Sequence, residues 1–141
     1  MNQPDPIDVL NRLLRILYRS MTVYLAGVKT WSFYETEQGR AIELIAADQL
    51  RTARRVAGAI LEHGGRIDAG HFPAEFTSKH DLAMDFLLET AIQHQQRDVA
   101  AIEGCVADLS RAPFLRPLAE EALGGARGHL ENLKEMMNEE G

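Results

Sequence analysis

The sequence predicts an all-α fold: four long helices packed as a bundle, in a single domain covering residues 1–141. Three observations point there. Ala and Leu dominate the apolar residues while aromatics make up only 6% of the chain, and strands favour β-branched and aromatic side chains where helices favour Ala and Leu. Apolar residues recur in steps of three and four along four separate segments, the stripe of a helix packed in a bundle. Only one of the connections between these segments is long. A hydrophobic share of 45% supplies one core for a chain of 141 residues.

The first helix is predicted to begin behind Asp5, a suitable N-cap, with Pro6 at the first helical position. Its stripe is Leu10, Leu14, Leu17, Met21, Tyr24, Val28 and Trp31, so it should end between Trp31 and Tyr34. The second helix runs from about Thr36 to His63 through Ile42, Ala46, Gln49, Ala53, Val56 and Ile60. Gly64 and Gly65 end it through a left-handed C-cap. The third, capped by Thr77 or Ser78, runs from about Lys79 to Ser110 through Leu88, Ile92, Val99, Ile102, Val106 and Leu109. Pro113 breaks the chain. The fourth runs from about Phe114 to Asn138 with Leu115, Leu118, Ala122, His129, Leu133 and Met136 inward. Gly124, Gly125 and Gly128 weaken its middle by up to ~1 kcal/mol each and mark close packing or a kink.

Short turns make the first and second helices antiparallel neighbours, and likewise the third and fourth. Residues 66–77 (RIDAGHFPAEFT) carry Gly70 and Pro73 and show no helical period. Extended at ~3.3 Å per residue they reach ~40 Å, about the length of the second helix at ~1.5 Å per residue. This segment is therefore expected to cross the length of the bundle and set the third helix parallel to the second.

Composition narrows the function. A net charge of −6 gives no general attraction for phosphate backbones, so no nucleic-acid partner is expected. Arg12, Arg15 and Arg19 interrupt the apolar residues of the first helix, so no membrane span is expected. The single cysteine, Cys105, excludes an intrachain disulfide and reads as a small buried helix residue. The N-terminus carries no charged-then-apolar signal pattern, and a cytoplasmic location is expected. No CxxC, HExxH, GxSxG or phosphate-loop motif is present.

Several local features are similar to the bacterioferritin and rubrerythrin branch of the ferritin-like superfamily. Leu10-Asn11-Arg12-Leu13-Leu14 resembles the start of that family's first helix. Tyr24 follows Leu17 at the spacing of a family tyrosine behind the first ligand glutamate. Ala47-Asp48 resembles the pair that follows a ligand histidine, and Gly128-His129-Leu130 resembles the family's second Glu-x-x-His segment. The resemblance implies a ferritin-like four-helix bundle with one long crossover between the second and third helices. It also implies where a di-iron site would lie. Such a site takes one glutamate from each of two helices and Glu-x-x-His from each of the other two. The corresponding positions here are Leu17, Glu43 with Ala46, His94 or Gln95, and Ala126 with His129. Two divalent ions need more countercharge than Glu43 supplies, so the resemblance implies a site largely lost.

The remaining candidates have two readings each. His129 is a core histidine bonded to Glu43, Gln49, Gln95 or Tyr24, or a metal ligand. His63, His71 and His80 near the long connection are solvated, or form a surface zinc or nickel site. Arg12, Arg15 and Arg19 on the first helix, and Arg51, Arg54 and Arg55 on the second, form solvated faces with local ion pairs or a subunit interface. The leading expectation is a non-enzymatic bundle protein with an oligomeric structural or interaction role and no cofactor, a homodimer through its first two helices. The alternative is a protein that binds one iron or manganese at Glu43, His94 and His129 for oxidation, sequestration or stress protection.

Overall fold

Asp5 accepts a hydrogen bond from the Ile7 amide at 2.8 Å, and Pro6 occupies the first turn, so the first helix starts where the sequence places it. The computed structural model describes residues 4–28, 35–79 and 84–140. These form α1 (Pro6–Tyr18), α2 (Met21–Val28), α3 (Glu37–Glu62), α4 (Met84–Asp108) and α5 (Arg116–Glu140), with a 3-10 helix at Ala74–Lys79. There is no strand among the described residues, and none of their helices is long and apolar enough to cross a membrane.

The predicted first helix is two helices. Arg19 leaves the helical region (φ −113°, ψ 25°). Ser20 then starts α2: its carbonyl accepts from the Tyr24 amide at 3.0 Å and its Oγ from the Val23 amide at 3.2 Å. A serine hydroxyl that can bond backbone amides competes with helix continuation. The predicted end between Trp31 and Tyr34 lies outside the described residues.

α3 matches its expected bounds closely. Thr36 Oγ1 accepts from the Gly39 amide at 2.9 Å. At the other end the Gly64 amide donates to Leu61 at 3.1 Å and the Gly65 amide to Ile60 at 2.8 Å, a Schellman motif. Gly64 sits at φ +73°, a conformation glycine adopts without Cβ strain.

Thr77, Ser78 and the expected first residue of the third helix, Lys79, lie within the 3-10 helix, and residues 80–83 lie outside the described residues. α4 ends two residues early, tightening into shorter turns as Ser110 donates to Ala107. α5 continues unbroken through its glycines. A Cβ added at Gly124 or Gly128 would meet nothing within 4 Å, so neither close packing nor a kink uses them.

Side-chain contacts give the topology. Asn11, near the start of α1, exchanges 2.8 Å hydrogen bonds with the Arg66 carbonyl and Asp68 amide just past α3. Ser20 and Thr22 bond Gln49 at mid-α3, so α1 and α2 run antiparallel to α3. Arg12 pairs with Asp108 at the end of α4 at 2.5 Å. The ends of α3 and α4 therefore both lie at the start of α1, and α3 and α4 are parallel. α5 returns antiparallel, through His129 to Asp48 and Glu121 to Arg55. The long connection follows α1 and α2, ending with Phe72 and Phe76 against Tyr24 at ring separations of 5.1 and 5.5 Å. The five helices thus occupy four rods, with α1 and α2 sharing one.

The core has two apolar halves. One joins Leu10, Leu13, Leu14 and Leu17 to Val56, Ile60, Ile102 and Leu109. The other joins Met21, Tyr24 and Leu25 to Ile42, Ile45, Leu87, Leu88 and Leu133. Because α5 pairs no contact with the freedom its glycines cost, Gly124→Ala and Gly128→Ala should each raise stability by about 0.5–1 kcal/mol. Urea unfolding at unchanged m-value checks this; a loss of stability would show that the glycines are needed.

Candidate functional site

Where the two apolar halves meet, each rod contributes a polar group. Ser20 Oγ and Thr22 Oγ1 donate to Gln49 Oε1 at 2.7 and 2.5 Å. Gln49 Nε2 lies 3.5 Å from Gln95 Oε1, and Gln95 Nε2 donates to the Ala126 carbonyl at 3.0 Å. All four of these polar side chains are buried. The network links α2, α3, α4 and α5 through neutral groups alone, each amide oxygen and nitrogen engaged.

This layer bears on the ligand positions implied by the resemblance. Leu17, Ala46, Gln95 and Ala126 are all buried, and none carries a carboxylate. Of the two alternatives on α4, Gln95 faces the centre. His94 stands to one side, its ring edge-on to Phe76 at 5.1 Å and its Nε2 3.9 Å from Glu75 Oε1.

Glu43 is exposed on α3. His129 is mostly buried, with Nε2 2.7 Å from Asp48 Oδ2, while Asp48 Oδ1 accepts from Arg51 at 2.9 Å. Its partner is thus Asp48, none of the four residues expected. A carboxylate only accepts, so Nε2 carries the proton of this contact. The Nδ1 of His129 is buried and has no hydrogen-bond partner. Beside the ring, Ala41, Leu44, Ile45 and Met136 help line a groove of about 340 Å³ between α3 and α5. Among the described residues no three His, Cys, Asp or Glu side chains gather into a metal-holding group, so Glu43, His94 and His129 are not brought together. His63 is exposed, its Nδ1 2.9 Å from the Ala59 carbonyl, and His71 is exposed; His80 lies outside the described residues.

The arginines of α1 turn inward to the chain itself. Arg12 bonds Asp108 and lies 3.4 Å from Cys105 Sγ. Arg15 pairs with Asp68 at 3.4 Å, and Arg19 Nε donates to the Ala69 and Gly70 carbonyls. Gly70, at φ +63°, lets the connection pass close over Arg15, whose Cδ would lie 2.8 Å from an added Cβ. On α3, Arg51 pairs with Asp48 and Arg55 with Glu121, while Arg54 is exposed. Burial pushes the Cys105 thiol above its ordinary pKa, the Arg12 contact only partly opposing it. Such a thiol is a poor nucleophile.

Asp98 is a half-buried ionisable group that the sequence does not single out. It follows Gln95 on the same side of α4, and burial raises its pKa to about 7, opposed only by Arg97. Its folded pKa lies above its ordinary value of 3.8, so folding takes up a proton between those pH values and stability falls as pH rises through them. Asp98→Asn should stabilise the fold by about 1–3 kcal/mol at pH 8 and leave it nearly unchanged at pH 4. Thermal melts of both proteins across this range measure the difference; an equal effect at both ends would remove the assignment to ionisation.

The amide layer gives a second test. Gln49→Leu should cost about 2–4 kcal/mol, because Ser20, Thr22 and Gln95 lose buried partners. Adding Ser20→Ala and Thr22→Val should recover part of that loss, since groups removed together leave nothing unpaired. Simple addition of the three losses in urea unfolding would contradict the network.

The chain matches no protein-family model, and no curated protein is significantly similar to it.

Proposed function

We propose that this chain is a non-enzymatic ferritin-like bundle of the cytoplasm whose role is structural, assembling with a second copy of itself. The observation that carries this reading is the layer of Ser20, Thr22, Gln49 and Gln95 at mid-bundle. It occupies the region where the resemblance would place two irons, and its groups are neutral and engaged with one another. Two divalent cations there would lack the carboxylates that make such burial tolerable. Assembly is supported by apolar residues left outside. Leu61 on α3 is 60% exposed, and Tyr18 and Val28 on the neighbouring rod are 37% and 40% exposed. An isologous dimer through these two rods would cover them, the commonest symmetry for soluble oligomers. Apolar contact carries the interface in this reading, since most arginines of both rods are engaged within the chain.

The alternative, one iron or manganese in oxidation, sequestration or stress protection, has one observation in its favour: the buried, unpartnered Nδ1 of His129. A single purification without added metal separates the readings. We expect no stoichiometric iron or manganese by elemental analysis, no change in melting temperature with chelator, and a dimer by sedimentation at micromolar concentration. Leu61→Asp with Val28→Asp should weaken that dimer at least tenfold. A monomer in the unsubstituted protein would end the assembly reading. A chelator-induced drop in melting temperature, reversed by one metal and abolished in His129→Ala, would establish the alternative.

A further inference from the structure

We propose that the groove on the outer side of α2 binds an amphiphilic monocarboxylate, its head on Arg19 and its apolar body along the helix. The sequence of α2, MTVYLAGV, contains no charged residue. Its inner side buries Met21, Thr22, Tyr24 and Leu25. Its outer side is apolar too, and Val23, Ala26 and Val28 line a groove of about 500 Å³ together with Leu50 of α3 and Phe72 of the connection. A helix that is apolar all round is normally covered on every side. The volume falls in the range of small-molecule sites, roughly 300–1,000 Å³.

Arg19 also lines this groove. Its guanidinium carbon lies 4.8 Å from the Tyr18 ring centroid and 5.0 Å from that of Phe72. Its Nε donates to the Ala69 and Gly70 carbonyls, both at 3.1 Å. The rings and the Nε bonds hold the group in place. What remains is the edge formed by the two terminal nitrogens, which make no hydrogen bond or ion pair with any described residue. Arg12 and Arg15 differ in this respect, being paired with Asp108 and Asp68. A planar guanidinium edge matches a carboxylate in two parallel hydrogen bonds. Because the side chain is already fixed, little ordering cost remains on binding. One unneutralised cation matches one negative charge, which favours a carboxylate head over a dianionic phosphate. The apolar walls favour an aliphatic or aromatic body over a sugar or a peptide. Tyr18 and Val28 line this groove and also belong to the surface assigned above to assembly, so decanoate and a second copy compete there; sedimentation run beside the titration tells a failure of one reading from a failure of the other.

Calorimetric titration of the full chain with decanoate, decanol and decyltrimethylammonium, each below its aggregation concentration, tests the proposal. Decanoate should saturate at one per chain with micromolar affinity, decanol should bind at least tenfold more weakly, and the cation should not saturate. Arg19→Gln should weaken decanoate at least tenfold and leave decanol unchanged. That variant also loses two bonds to the connection, so a second one is needed. Gly27 lines the same groove and an added Cβ there meets nothing within 4 Å. Gly27→Leu should therefore block decanoate without lowering the melting temperature. Equal binding of acid and alcohol to the unsubstituted chain, absence of saturation, or decanoate affinity unchanged in Gly27→Leu would each overturn the proposal.

Discussion

A buried amide cannot be left half-bonded, and Gln49 imposes that condition on the whole bundle. Its oxygen takes two hydroxyl protons from the start of α2, and its nitrogen faces Gln95. Gln95 in turn reaches the backbone of α5 at Ala126. Sliding any rod by one turn would separate these groups by about 5 Å and strand several of them without water. The apolar halves on either side are less discriminating, because Leu and Ile tolerate many neighbours of similar volume. Burial drives the rods together, and the amide layer selects their register.

The crossover depends on a different set of groups. A segment that follows α1 and α2 toward the start of α4 must bond its carbonyls and amides to something other than itself. Asn11 takes one carbonyl and one amide, and Arg19 takes two carbonyls. Arg15 holds Asp68 close to them. These side chains recur along one face of α1, the face an extended neighbour would cover. The arginines of this rod thus carry local ion pairs to Asp68 and Asp108 and bond the carbonyls of a connection that has no secondary structure until its final 3-10 helix.

Much of this architecture is legible in the sequence. Thr36 and Gly64 carry the bounds of α3 because caps are local chemistry. The parallel course of α3 and α4 follows from the length of residues 66–77 against the length of a helix. The break at Arg19 is not legible, since Met21 and Tyr24 keep the three-four step running across it; only the contacts of Ser20 with Gln49 and of Arg19 with the connection show why the helix yields. His129 reads correctly as an inward residue but with the wrong partner. Its neighbour Asp48 lies 81 positions away in sequence and enters the sequence reading only through a family likeness. The choice between His94 and Gln95 likewise needed the rotation of α4, which a stripe of apolar residues leaves uncertain by one position.

The helix break joins the two themes. If α1 ran straight into α2, Ser20 would bond its own helix and its hydroxyl would be drawn away from Gln49. Arg19 would point along the α1 face like Arg12 and Arg15. Ending the helix at Tyr18 frees Ser20 to cap α2 and to close the amide layer. It also turns Arg19 onto the carbonyls of residues 69 and 70 and between two aromatic rings. One local departure from helical geometry thus satisfies the centre of the bundle and leaves a fixed cation at the edge of an apolar groove. The amide layer at mid-bundle is saturated by its own neutral groups. Unspent bonding capacity remains at the buried Nδ1 of His129 and at the terminal nitrogens of Arg19, the latter on the rod that the break created.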